Sequence, residues 1–246
     1  MPEPVLILGA TSAIGRQVAA ALAARGHALF LAGRNLAEVE RVASDLRIRH
    51  SVETAAGRFD AEDYEAHRAF LQEVVRRMGD VEGVVLAFGH LGEQEEAEKE
   101  LEETFRILDR NFTGAVSILN QCADFFEARR EGFIVAVSSV AGDVGRRSNY
   151  LYGAAKGGLN VYLQGLRARL YRAGVRVLTV KPGFVDTPMT FGRPKLFLVA
   201  SPAEVGEAVV RALGRGADIA YVPWFWRFIM LGLKLTPERF RKRLQL

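Results

Sequence analysis

The chain has 246 residues, 49% hydrophobic and 25% charged, an ordinary globular composition that suits one α/β domain with a full core. One cysteine, Cys122, excludes an internal disulfide framework and fits a reducing cytoplasm; His27, His50, His67 and His90 are scattered without metal-ligand spacing, so no metal is expected. The net charge of +4 is mild, and much of the excess sits in the closing "ERFRKRLQL", which does not call for nucleic acid as a partner.

The opening "MPEPVLILGA" has no basic flank and its apolar run is strand-length, so no signal peptide is expected. Near-continuous apolar runs then recur as "VLILG", "ALFLAG", "GVVLAFG", "FIVAVSS" and "RVLTVKPG", the pattern of parallel strands buried on both faces. "SVETAAGRFD" reads as a shorter strand and "IAYVP" as a last one. Helical stretches such as "GRQVAAALAARG", "NLAEVERVASDLR" and "EDYEAHRAFLQEVVRRMG" separate them. Repeated β–α alternation implies right-handed crossovers and one doubly wound, mainly parallel sheet with helices on both faces. No linker or repeat divides residues 1–246, so a single domain is expected.

"VLILGATSAIGRQVA" runs from strand through a glycine turn into a helix. Gly9, Thr11, Ser12, Ala13, Ile14 and Gly15 would there bring small residues and free helix N-terminal amides close to a pyrophosphate. The same turn would also serve as a tight strand-to-helix connection. Arg34 follows the second strand where an acid would hold a ribose 2′-hydroxyl, and a guanidinium there suits a 2′-phosphate, hence NADPH/NADP+ over NADH. Further on, the acidic "GEQEEAEKELEETF" reads as a solvated helix face, because Leu101, Phe105 and Leu108 keep a helical apolar spacing.

The stretch "SNYLYGAAKGG" offers two tyrosines to one lysine. Residues four apart share a helix face and residues six apart do not, so Tyr152, not Tyr150, pairs with Lys156. A tyrosine, with its ordinary pKa near 10, becomes a useful acid/base when a nearby cation favours phenolate. Tyr150 is then a substrate-pocket wall or a core aromatic. The loop "MTFGRPKLFLVA" supplies apolar Met189, Phe191, Leu196 and Phe197 beside Arg193 and Lys195, a mixture that suits a phosphate on an apolar chain or a solvated lid. Residues 223–246 begin with "PWFWRFIMLGLKL", too short and too interrupted by charge to span a bilayer. Such a tail could lie in a membrane surface or be buried over the pocket or in a dimer contact.

Together these motifs resemble the short-chain dehydrogenases/reductases, whose Rossmann-type fold the chain is expected to adopt over nearly its whole length. The first turn is similar to their G-x-x-x-G-x-G arrangement, with Ala13 at the middle glycine. Ser139 lies thirteen residues before Tyr152, the family's spacing, and "LDRNFTGAV" places Asn111 at the family's asparagine. The resemblance implies that Ser139 orients the carbonyl oxygen, Tyr152 is the acid/base, Lys156 also holds the nicotinamide ribose, and Asn111 holds a relay water behind the lysine. It implies cofactor contacts from Asp60 to the adenine, and from Gly89, Pro182, Gly183, Val185 and Thr187. "LAFGH" departs from the family's Asn-Asn-Ala-Gly: Gly89 survives, and Phe88 puts a ring against the adenine ribose or the substrate path.

With the tail, "AFGHLG" and the Tyr152 helix, the chain looks most like the decaprenylphosphoryl-2-keto-ribose reductase branch. That branch implies a keto-sugar on a polyprenyl phosphate, a homodimer or homotetramer, and a cytoplasmic site at the inner face of the membrane. The alternatives are a soluble 3-oxoacyl or small-ketone reductase and, in a different class, a non-catalytic dinucleotide sensor. An intact Ser–Tyr–Lys set weighs against the sensor.

Overall fold

A computed structural model describes residues 4–192 and 198–243. Seven parallel strands form one sheet: β1 (Val5–Leu8), β2 (Leu29–Gly33), β3 (Thr54–Arg58), β4 (Gly83–Leu86), β5 (Phe133–Val137), β6 (Arg176–Pro182) and β7 (Ile219–Val222). Their spatial order is β3-β2-β1-β4-β5-β6-β7. Alternation along β1 divides the core. Leu6 and Leu8 face one layer, which also holds Ile118 and Leu159, whereas Val5 and Ile7 face the other, with Val18, Val39 and Val205. The first layer is covered by α3 (His67–Met78), α6 (Gly114–Arg129) and α7 (Tyr150–Leu170), the second by α1 (Ala13–Ala23), α2 (Leu36–His50) and α8 (Pro202–Gly214). Strand order reverses between β1 and β4, so a crevice opens at their C-terminal ends, where this topology places ligands.

The acidic run forms two helices, α4 (Gln94–Ala97) and α5 (Leu101–Leu108). Its apolar spacing is not a core stripe. Leu101 and Phe105 are exposed, while Glu103 and Ile107 are buried. Glu103 tolerates burial because its carboxylate meets His90 Nε2 and Arg106 Nη1, each at 2.6 Å.

The C-terminal segment packs against the fold rather than standing apart from it. Helix α9 (Trp226–Leu235) buries Trp226 and Met230 against Val140 and Val144, and α10 (Glu238–Arg241) follows it. A Cβ at Gly183 would lie 2.0 Å from the indole Nε1 of Trp226, so glycine is required there by the tryptophan's close approach. The opposite face of the segment exposes Trp224, Phe228, Leu231 and Leu235, which recur at helical spacing. Trp226→Ala should therefore cost about 3–5 kcal/mol in urea unfolding, and Trp224→Ala, on the exposed face, less than about 0.5 kcal/mol.

Candidate active site

The first turn is held by its own backbone. Gly9 has φ +85°, and a Cβ on it would sit 2.7 Å from the Phe88 amide nitrogen; a Cβ on Gly15 would sit 2.3 Å from the Gly9 carbonyl oxygen. The glycines thus let the turn fold onto itself and onto the end of β4. Ser12 fastens the same contact, donating to the Ala87 carbonyl at 2.8 Å and accepting from the Gly15 amide at 3.0 Å. Ala13 is the first residue of α1, where alanine is at ease, and the first-turn amides of Ala13 and Ile14 have no intrahelical carbonyl to bond. They are donors available to a phosphate.

A cleft of about 190 Å³ opens beside this turn, lined by Gly9, Thr11, Ser12, Arg34, Asp60 and Gly89 together with Gly33, Phe59, Ala61, Phe88 and Arg110. Phe88 therefore belongs to the wall shared with Arg34 and Asp60, and its ring lies 5.7 Å from that of Phe59. Asp60 is oriented by accepting from the Glu62 amide at 3.2 Å, and its carbonyl meets His67 Nε2 at 3.0 Å. Arg110 pairs with Glu62 through two contacts of 3.0 Å, and Arg34 stands exposed at the rim. Free helix-terminal amides, an exposed guanidinium and an oriented carboxylate around one cleft fit a phosphorylated dinucleotide.

At the other end of the crevice, Ser139 leaves β5 and caps the turn Val140–Gly142, its Oγ accepting from the Ala141 amide at 3.0 Å. That turn lies directly on α7. A Cβ at Gly142 would fall 2.5 Å from the Lys156 carbonyl carbon, and one at Gly153 would fall 2.9 Å from the Ala141 oxygen. This glycine contact brings Ser139 within hydrogen-bond reach of Tyr152. Lys156 is almost fully buried, donates to the Val137 carbonyl at 3.2 Å, and holds its ammonium 5.8 Å from the centre of the Tyr152 ring.

Burial controls the charges here. It pushes the Tyr152 phenol up to about 12, against the pull of the Ser139 hydrogen bond, and pushes Lys156 down to about 8. In this state burial disfavours both charged forms, the phenolate of part-buried Tyr152 and the ammonium of buried Lys156. The outcome is a protonated phenol beside an amine that exchanges its proton near neutral pH.

Asn111 is fully buried in a π-helical turn, Asp109–Thr113, between α5 and α6. Widened turns of this kind often mark functional sites. Its amide donates to the Ile107 carbonyl at 2.7 Å and to the His90 carbonyl, and its Oδ1 accepts from the His90 amide at 3.2 Å. The side chain is thereby spent on clamping the Gly89–His90 backbone beside Lys156. A Cβ at Gly89 would meet Asn111 Oδ1 at 2.7 Å and Lys156 Nζ at 3.4 Å, which explains why this glycine persists where the amides are missing.

Several expected contacts fall elsewhere. Tyr150, two residues from Tyr152 and so on the far side of α7, is exposed and donates to Glu98 at 3.0 Å; it is not a core aromatic. Val185 is buried in the second core layer and bridges to Ala200. Gly183 is covered by Trp226 on its open side and follows Pro182, the last residue of β6. Thr187 lies with Asp186, Pro188 and Phe191 at a second, open hollow, and Met189 is exposed nearby. Arg193, Lys195, Leu196 and Phe197 lie outside the described residues.

The site also contains residues that the motifs did not mark: Phe59 and Arg110 in the cleft, Glu103 behind His90, and Gly142 against α7. Only Gly142 left a trace in the sequence, since small residues facing the small Gly153 signal close helix contact. Among the described residues no cluster of potential metal ligands occurs.

The short chain dehydrogenase family pattern matches residues 3–195. An uncharacterized oxidoreductase of Mycobacterium tuberculosis is 37% identical over 235 residues, covering 96% of this chain and 94% of that protein. One from Streptomyces coelicolor is 37% identical over 244 residues, covering 99% and 96%. Among solved structures, a short-chain dehydrogenase from Sphingobium yanoikuyae in complex with NADPH superposes with a TM-score of 0.82 at 26% identity, covering 91% of this chain and 88% of that one. An actinorhodin polyketide ketoreductase with NADPH gives 0.81 at 26% identity, covering 90% and 95%. The pattern spans both the phosphate turn and the Tyr152–Lys156 helix, and on that ground the chain belongs to the short-chain dehydrogenase family of NAD(P)-dependent oxidoreductases.

Proposed function

We propose that the protein reduces a ketone with NADPH, and that its substrate is a keto-sugar or similar carbonyl compound carried by a polyprenyl phosphate. The observation that carries the reductase reading is the assembly of Ser139, Tyr152 and Lys156 at one end of the crevice whose other end holds the glycine turn and Arg34. The nicotinamide supplies the hydride chemistry. The protein's part is to hold the ketone and deliver the proton. Ser139 accepts from the Ala141 amide at Oγ, which orients its O–H toward Tyr152, and that donor would turn to the ketone oxygen when substrate binds between them. Tyr152 gives that oxygen its proton as negative charge develops. Lys156, near 8, is poised to return a proton at neutral pH.

NADPH is favoured over NADH because Arg34 stands exposed at the cleft rim just beyond β2, with no carboxylate in the place that would take a ribose 2′-hydroxyl. The solved relatives bound to NADPH agree with this choice. The lipid-linked substrate is supported by the outer face of the C-terminal segment. Trp224, Phe228, Leu231 and Leu235 form an exposed apolar stripe, and Arg227, Arg239, Lys242 and Arg243 lie around it, a combination that suits an anionic membrane surface. Exposed Leu101, Phe105 and Val161 on α5 and α7 support a homodimer or tetramer.

Tyr152→Phe should keep NADPH binding and lose ketone-dependent NADPH oxidation; turnover near wild type would remove the tyrosine from the chemistry. Arg34→Ala should raise KM for NADPH about 10- to 100-fold, the worth of a charge-assisted contact, and leave NADH nearly unchanged. Equal losses for the two cofactors would release Arg34 from the 2′-phosphate. The full chain should co-sediment with vesicles containing phosphatidylglycerol, less so at high salt, and Phe228→Ser with Leu231→Ser should abolish this while cofactor binding persists. No sedimentation of the full chain would leave a soluble ketone as the substrate.

A further inference from the structure

The loop from Ser139 to Tyr152 carries more positive charge than it neutralises. Asp143 is buried, and its carboxylate is fully engaged: Lys181 Nζ at 2.7 Å and Lys234 Nζ at 3.1 Å share Oδ1, while the Tyr221 hydroxyl donates to Oδ2 at 2.8 Å. Arg146 follows three residues later, part-buried in the same loop. Its guanidinium reaches only the Met230 thioether, at 3.9 Å, and its Nε is buried without a hydrogen-bond partner among the described residues. Two lysines thus already share the one carboxylate, and Arg146 makes no ion pair with it among the described residues. Burial pulls Arg146 below its ordinary pKa, and Asp143, already spoken for, is the acid that opposes this. A guanidinium whose buried Nε has no hydrogen-bond partner among the described residues is costly unless something else meets it.

The position says what that something is. Arg146 lies six residues before Tyr152 and seven after Ser139, over the inner face of α9, and it is not among the residues lining the dinucleotide cleft. A cofactor phosphate is held at the far end, by the α1 turn and Arg34. Asn149, in the same loop, has an amide oxygen that is also buried without a partner among the described residues, an acceptor for a hydroxyl. We propose that Arg146 anchors an anion subsite on the substrate side of the catalytic centre, which takes a phosphate or carboxylate group carried by the carbonyl compound. This deepens the reductase reading and rests on it for the identity of the carbonyl group. The planar fork of arginine matches either anion with paired hydrogen bonds.

The test is calorimetric titration of inorganic pyrophosphate, and separately of citrate, into protein saturated with NADP+, so that the cofactor's own phosphate contacts are filled. The wild type should take up one equivalent of at least one anion. Arg146→Gln should weaken that binding about tenfold or more, Arg146→Lys should retain part of it, and Arg34→Ala in the presence of saturating NADP+ should leave it unchanged. Retained NADP+ binding shows that each variant is folded. Uptake of pyrophosphate alone assigns the subsite to phosphate, and uptake of citrate alone assigns it to carboxylate. No uptake by the NADP+-saturated wild type, or equal uptake by Arg146→Gln, overturns the proposal. Turnover of a neutral ketone, measured in parallel, separates the two failures: reduction without anion uptake sinks the subsite alone, and anion uptake without any ketone reduction sinks the reductase reading alone.

Discussion

The relative placement of Ser139, Tyr152 and Lys156 depends on one close approach at a glycine. The turn after β5 rests its Gly142 backbone on the backbone of α7 at Lys156 and Gly157, at a separation that no Cβ on Gly142 could share. Because that turn begins at Ser139 and α7 carries Tyr152 and Lys156, one contact sets the relative position of all three groups. Rigid elements on both sides make the spacing precise in the way a loop-borne site is not. Asn111 extends the same frame by clamping Gly89 and His90 next to the lysine.

Dryness follows from that close packing, and the electrostatics follow from dryness. Burial moves Tyr152 and Lys156 in opposite directions along the pH scale, so both are held uncharged more readily than in water. For a proton donor this is the useful state. The opposite end of the crevice is built differently: Arg34 and Arg110 stand at an open cleft with Asp60, where charged phosphates can be met by exposed or paired charges. The C-terminal ends of the strands thus carry charged groups at one end of the crevice and burial-shifted Tyr152 and Lys156 at the other.

The C-terminal segment joins the two themes. Its inner face packs Trp226 on Gly183 and Met230 against Val140 and Val144, and Lys234 ties it to Asp143. Its outer face stays apolar and exposed. A helix with two apolar faces reads in sequence as apolar almost all round, which leaves membrane contact and burial indistinguishable. In the fold one side is buried and the other is exposed.

The sequence by itself determined the sheet, its seven strands and the helical pairing of Tyr152 with Lys156, because those depend on periodicity and on spacing along one helix. It also determined the family, since four motifs recur in order. It did not determine which way Leu101 and Phe105 face, why Gly9, Gly15 and Gly183 are glycines, or that Phe88 lines the cofactor cleft. Apart from Gly15, crowded by its near neighbours Gly9 and Ser12, those are set by groups distant in the chain: Gly9 by Phe88, Gly183 by Trp226, Glu103 by His90. The charge states of the site were also beyond it, because they depend on how much water the packing excludes. Local pattern specifies elements, and only their assembly decides which surfaces meet, which groups dry out and which charges are left over.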